Sequence, residues 1–153
     1  MIGTGYVGLV SGTCFADLGN KVYCVDKDKS KLNKLKNAIS PIYEPGLEDL
    51  IRNNLRSKRL IFTDDLKKAI QDSQIIFICV GTPTKKGSNL VDLSQVYSVT
   101  KSISKYIKNY KIIVTKSTVP VTTGDQIERI IRKRVKKSLF EVVSNPEFLR
   151  EGE

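Results

Sequence analysis

The chain has 153 residues, 27% of them charged, 40% apolar, with a formal net charge of +10 and no histidine. This length holds one domain with a core and excludes two ordinary ones. The lack of histidine removes the commonest general base and Ser–His nucleophile activation, and no apolar run approaches the roughly 20 residues of a membrane helix. With no basic-then-apolar leader ahead of its first motif, the chain reads as cytoplasmic.

The first motif is Gly3-Thr4-Gly5-Tyr6-Val7-Gly8, of the form G-x-G-x-x-G. It predicts a tight turn at Gly3 and bare backbone at Gly5 for a pyrophosphate. At Gly8 it predicts close packing of a helix whose N-terminus attracts the anion. Val7, Val10, Cys14 and Leu18 recur at helical spacing before Gly19-Asn20, so they are the expected buried stripe. Val22 to Val25 reads as a strand ending on Asp26. An acid there can accept hydrogen bonds from the adenosine ribose and repel a 2′-phosphate, favouring NAD over NADP. The alternative for Asp26 is a helix N-cap or turn residue.

Leu32, Leu35 and Ile39 form the next helical stripe, ended by Pro41, and Pro45 is placed to start a helix carrying Leu47, Leu50, Ile51 and Leu55. A strand at Leu60 to Phe62 precedes a brief helix, capped near Thr63-Asp64, with Leu66, Ala69 and Ile70. The unalternating run Ile75 to Val80 predicts a strand buried on both faces of a parallel sheet. It ends in the polar turn Gly81 to Thr84. Asp92 and Gln95 suggest a capping box for a helix running through Ile107. Ile112 to Val114 is the next strand, followed by Lys116 to Pro120 and a helix bearing Ile127, Ile130, Ile131 and Val135. A strand over Phe140 to Val143 leads into Asn145 to Glu151. Strands alternating with helices predict an α/β fold, a Rossmann-type doubly wound parallel sheet. Its first strand is truncated to Met1-Ile2, a loss of buried aliphatic residues expected to leave the domain marginal. The polar landmarks all follow strand C-termini, the edge where ligands bind.

The lysines are spread along helices, and only Arg129 to Lys137 is dense, at a helix end where cations complement the dipole. The charge therefore reads as solvated surface, with nucleic-acid binding as a distant alternative. Cys14, Cys24 and Cys79 lack metal-ligand spacing and read as core thiols.

The segments GTGYVGLVSGTCFADLGNKVYCVDKD, IYEPGL, VGTPT, TKSTVP and SNPEFLREG, in this order, resemble the UDP-glucose/GDP-mannose dehydrogenases. Members of that family oxidise the C6 alcohol of a nucleotide sugar to a carboxylate in two NAD-dependent steps, through a thioester on a cysteine. The resemblance implies that Gly3, Gly5, Tyr6, Val7 and Gly8 hold the pyrophosphate, that Asp26 takes the adenosine ribose, and that Lys31 lies beside it. It places Thr84 and Thr118 on the nicotinamide side, with Thr118 also positioning a catalytic water. Glu147, Phe148, Leu149, Arg150 and Glu151 would touch the sugar, and Glu151 would also face the cofactor and assist hydrolysis. Read from the residues alone, the alternatives are an N-cap for Thr118, a turn residue for Thr84, a surface lysine for Lys31, and a solvated helix face for Glu147 with Glu151.

The resemblance further implies UDP-glucose as substrate, homo-oligomeric full-length members, and no metal. Residues 1–153 would form the NAD-binding domain, with the linking helix, the nucleotide-sugar-binding domain and its nucleophilic cysteine lying outside them. The chain is then expected to be inert alone. The other readings are a free-standing or vestigial NAD-binding module, or a domain serving GDP-mannose or a UDP-N-acetylhexosamine.

Overall fold

The computed structural model describes residues 1–85, 87 and 90–146. In chain order the elements are α1 (Tyr6–Asp17), β1 (Val22–Val25), α2 (Lys29–Lys36), α3 (Leu47–Arg56), β2 (Leu60–Thr63), α4 (Leu66–Asp72), β3 (Ile75–Ile78), α5 (Ser94–Ser104), β4 (Lys111–Thr115), α6 (Thr123–Arg132) and β5 (Phe140–Ser144). All strand pairings are parallel, β1 with β2, and β3 with β4 and β4 with β5. Ile2 joins these two ladders by bridging Val25 and Ile78. Its N–H donates to Phe77 O and its carbonyl accepts from Cys79 N, both at 2.8 Å, while Val25 N donates to Met1 O at 2.9 Å. The order is thus β2-β1-Ile2-β3-β4-β5, the doubly wound parallel sheet expected, with Ile2 bridging its two ladders.

Alternation along β1 divides the core between the two faces. Val22 and Cys24 pack with Leu9, Leu35 and Ile51 from α1, α2 and α3. Tyr23 and Val25 pack with Ile70, Val96, Ile103 and Ile127 from α4, α5 and α6. Helices therefore cover both faces, which leaves the ends of the parallel strands as the open ground.

Several local expectations are corrected. The buried face of α1 is Gly8, Leu9, Gly12, Thr13 and Ala16, and Leu18 is exposed. Small residues let this helix lie close on the strands, so its inner face carries little of the bulk that marks a stripe in sequence. Cys14 is accordingly exposed, while Cys24 and Cys79 are core thiols. Helix α2 stops before Ala38, whose positive φ of 57° turns Ala38 inward and leaves Ile39 exposed. Gly46, in the left-handed region, is the N-cap of α3, so Pro45 precedes the cap rather than opening the helix. Asp65 caps α4 by accepting from Lys68 N at 2.9 Å. Asp92 Oδ1 accepts from Ser94 N, one residue short of a box with Gln95, and α5 ends before Ile107. Ile75 is exposed because it starts β3 at the sheet rim.

Candidate functional site

The glycine loop follows the Met1-Ile2 bridge directly and turns at Gly3 (φ +98°), where a Cβ would stand 2.7 Å from Cys79 O. At Gly8 a Cβ would fall 2.0 Å from Gly3 O, so the first turn of α1 is pressed against the loop that feeds it. Gly5, the N-cap of α1, differs: its side-chain position is open, with nothing within 4 Å, and no side chain caps the helix there. A helix N-terminus that no side chain caps, next to one open glycine, is a place for an anion to meet backbone.

Two clefts flank Gly5. The larger, about 700 Å³, runs from Asp26 and Lys31 past Leu66 to Gln95 and Val99 of α5. The smaller, about 320 Å³, lies between Tyr6 and Val7 on one side and Val80, Gly81 and Thr118 on the other. The loops that frame the smaller cleft are tied together: Ser117 Oγ donates to Val80 O at 2.7 Å and Thr82 Oγ1 to Thr118 O at 3.4 Å. Lys116 Nζ donates to Asn145 Oδ1 at 3.1 Å, joining the ends of β4 and β5. An elongated ligand with an anionic middle fits this arrangement, its centre at Gly5 and its ends in the two clefts.

Asp26 is held from several sides. Its Oδ2 accepts from Thr4 N at 2.9 Å, Thr4 Oγ1 at 2.5 Å and Lys31 Nζ at 3.3 Å, and its Oδ1 from Asp28 N at 3.1 Å. Burial pushes this carboxyl up, but the Thr4 and Asp28 hydrogen bonds and the Lys31 charge together lower it to about 2. It is therefore a fixed negative charge at neutral pH. The N-cap role belongs instead to Asp28, which accepts from Lys31 N at 3.0 Å. The other alternative readings also meet the structure. Lys31 is paired with Asp26 rather than free on the surface, and the N-cap of α6 is Thr122, not Thr118.

The structure thus gathers Gly3, Gly5, Tyr6, Val7, Asp26, Lys31 and Thr118 around the two clefts, with Gly8 buried behind them where α1 packs on the loop. It does not bring in Thr84, which is exposed, bridges Val91 in an antiparallel pair, and lines neither cleft. Glu147, Phe148, Leu149, Arg150 and Glu151 lie outside the described residues. Sequence reasoning missed Thr4, buried and bonded twice to Asp26. The signal was its place between two glycines, where a side chain turned inward meets the next strand end. No described helix is long and apolar enough to cross a membrane.

A sequence model of the UDP-glucose/GDP-mannose dehydrogenase family, NAD binding domain, matches residues 1–153. A UDP-glucose 6-dehydrogenase of Rhizobium meliloti is 55% identical over 152 residues, covering 99% of this chain and 35% of that protein. The UDP-glucose 6-dehydrogenase TuaD of Bacillus subtilis is 56% identical over 153 residues, covering 99% and 33%. Among solved structures, a ternary complex of GDP-mannose dehydrogenase from Pseudomonas aeruginosa superposes with a TM-score of 0.93 at 39% identity, covering 98% of this chain and 36% of that one. A UDP-glucose dehydrogenase from Pyrobaculum islandicum gives 0.92 at 36% identity, covering 99% and 36%. The chain spans about a third of the length of the relatives it matches.

Proposed function

Since the chain belongs to the UDP-glucose/GDP-mannose dehydrogenase family, as its NAD-binding domain, we propose that it carries the cofactor half of a UDP-glucose 6-dehydrogenase. The overall reaction converts UDP-glucose, two NAD and water to UDP-glucuronate and two NADH. The substrate assignment is supported by the two UDP-glucose 6-dehydrogenases at 55% and 56% identity. One observation carries the cofactor assignment: open backbone at Gly5 between a cleft ending on Asp26 and one ending on Thr118.

When bound, NAD supplies a hydride acceptor. Gly5 and the N-terminus of α1 receive the pyrophosphate, and Asp26, charged and braced by Thr4 and Lys31, accepts from the adenosine ribose hydroxyls. A 2′-phosphate there would face a carboxylate, so NADP is disfavoured. Thr118 stands at the nicotinamide end, where its hydroxyl orients a water for the hydrolytic step. The family resemblance adds Glu151 at that end and residues 147–151 at the sugar, whereas Thr84, which lines neither cleft, is left out of the site.

Burial pushes the Cys24 thiol up to about 11, which keeps it a neutral core thiol at neutral pH. The nucleophile and the nucleotide-sugar site are supplied by the remainder of the whole protein, and this domain alone is inert. Calorimetric titration with NAD and NADP tests the reading: saturable NAD binding at micromolar to millimolar concentration, NADP weaker, and no NADH formed with UDP-glucose. A sample that melts cooperatively yet binds no NAD overturns it.

A further inference from the structure

We infer that Glu44 is a positioning residue for the nicotinamide half of the cofactor, acting through Tyr6; this rests on the reading of the cleft as the NAD site. Tyr6 is the first residue of α1 and forms one wall of the smaller cleft, opposite Val80 and Gly81. A phenol on the first turn of a helix can swing on two torsions. Here its hydroxyl donates to Glu44 Oε1, 38 residues along the chain. An O–H bond to a carboxylate is among the stronger hydrogen bonds, so it fixes the ring.

Glu44 is itself anchored. Its carbonyl accepts from Leu47 N at 3.2 Å, and Gly46 turns the chain into α3. Leu47 and Ile51 of α3 are buried in the core shared with α1. The cleft wall is thereby set by a second helix and not by the glycine loop alone. The larger cleft, around Asp26, has no contact with this pair among its lining residues. Loss of the tie should therefore weaken the nicotinamide half and spare the adenosine half.

The test uses amide chemical shifts of the 15N-labelled 153-residue chain, titrated in parallel with NAD and AMP. Glu44→Ala and Tyr6→Phe should each weaken NAD by roughly five- to tenfold and AMP by less than about twofold. The double variant should be no weaker than the worse single, and Glu44→Gln, which keeps an acceptor oxygen, should recover most of the loss. Shift dispersion reports whether each variant is folded; Tyr6→Phe removes one hydroxyl and carries the test if Glu44→Ala does not fold. Unchanged NAD affinity in Tyr6→Phe, equal losses for NAD and AMP, or losses that multiply in the double variant each overturn the inference. A wild-type chain that binds neither ligand overturns the cofactor reading itself, and this inference with it.

Discussion

Asp26 shows how a single carboxylate is prepared before any ligand arrives. Three donors on two residues, Thr4 and Lys31, converge on one of its oxygens, and Asp28 N holds the other. This network gives the charge a fixed position, and it also ties Asp26 to stability. The carboxyl is lowered from 3.8 to about 2 in the folded chain, so the folded state binds its proton less readily than the unfolded one. The stabilisation is fully present above pH ~4 and is lost as pH falls toward 2, on the order of 2 kcal/mol. Asp26→Asn should flatten that part of the stability profile, measured by denaturant unfolding between pH 2 and 6. Asp26→Ala should weaken NAD or narrow its advantage over NADP in the calorimetric titration. Unchanged affinity for both cofactors would remove Asp26 from the site.

Helix α1 is placed by what it lacks. A Cβ on Gly8 would meet Gly3 O at 2.0 Å, and neither backbone can yield without moving the turn that faces the anion. Gly8→Ala is expected to cost about 2–4 kcal/mol and to weaken NAD more than about tenfold. Gly124, inside α6, has nothing within 4 Å of its side-chain position. Gly124→Ala should be neutral or stabilising by up to about 1 kcal/mol. Thermal melts should show Gly8→Ala lowered and Gly124→Ala unchanged or raised; a rise in both would show that helix propensity, not the close approach, decides. This is also where sequence reading reached its limit. The glycine spacing, the strand ending on Asp26 and the Ile127–Ile131 stripe were legible because each is a local pattern with a direct physical cause. Beyond Gly8, the inner face of α1 was not, because periodicity weights bulk and Leu9 is the one large residue on a face completed by Gly12, Thr13 and Ala16. The Tyr6–Glu44 tie was illegible for a different reason: 38 residues and a whole strand separate partners that only the packing of α3 on α1 brings together.

The two ladders meet at Met1, Ile2 and Gly3, whose backbones bond to β1 and to Phe77 and Cys79. Among the described residues, Ile2 is the bridge partner common to β1 and β3. Its buried side chain packs with Tyr23 and Val25 from one ladder and with Ile76 and Ile78 from the other. The site spans the same junction, with Asp26 following β1 and Thr118 following β4. Ile2→Ala keeps the backbone hydrogen bonds and removes the packing, a loss of about 2–5 kcal/mol against a typical total of 5–15 kcal/mol. The thermal midpoint should fall by roughly 4–20 °C in one transition, since Tyr23 also donates to Asp72 of α4 at 2.7 Å and shares its core with α5 and α6. Amide exchange gives the sharper readout. Val25 N and Cys79 N, bonded to Met1 O and Ile2 O, should lose protection together. Protection lost in β1–β2 but kept at wild-type level in β3–β5 would show two halves that stand independently. NAD at 100 times its Kd should restore about 2.7 kcal/mol by binding the folded state alone, and if it occupies both clefts as proposed it should bring the Val25 and Cys79 amides back together.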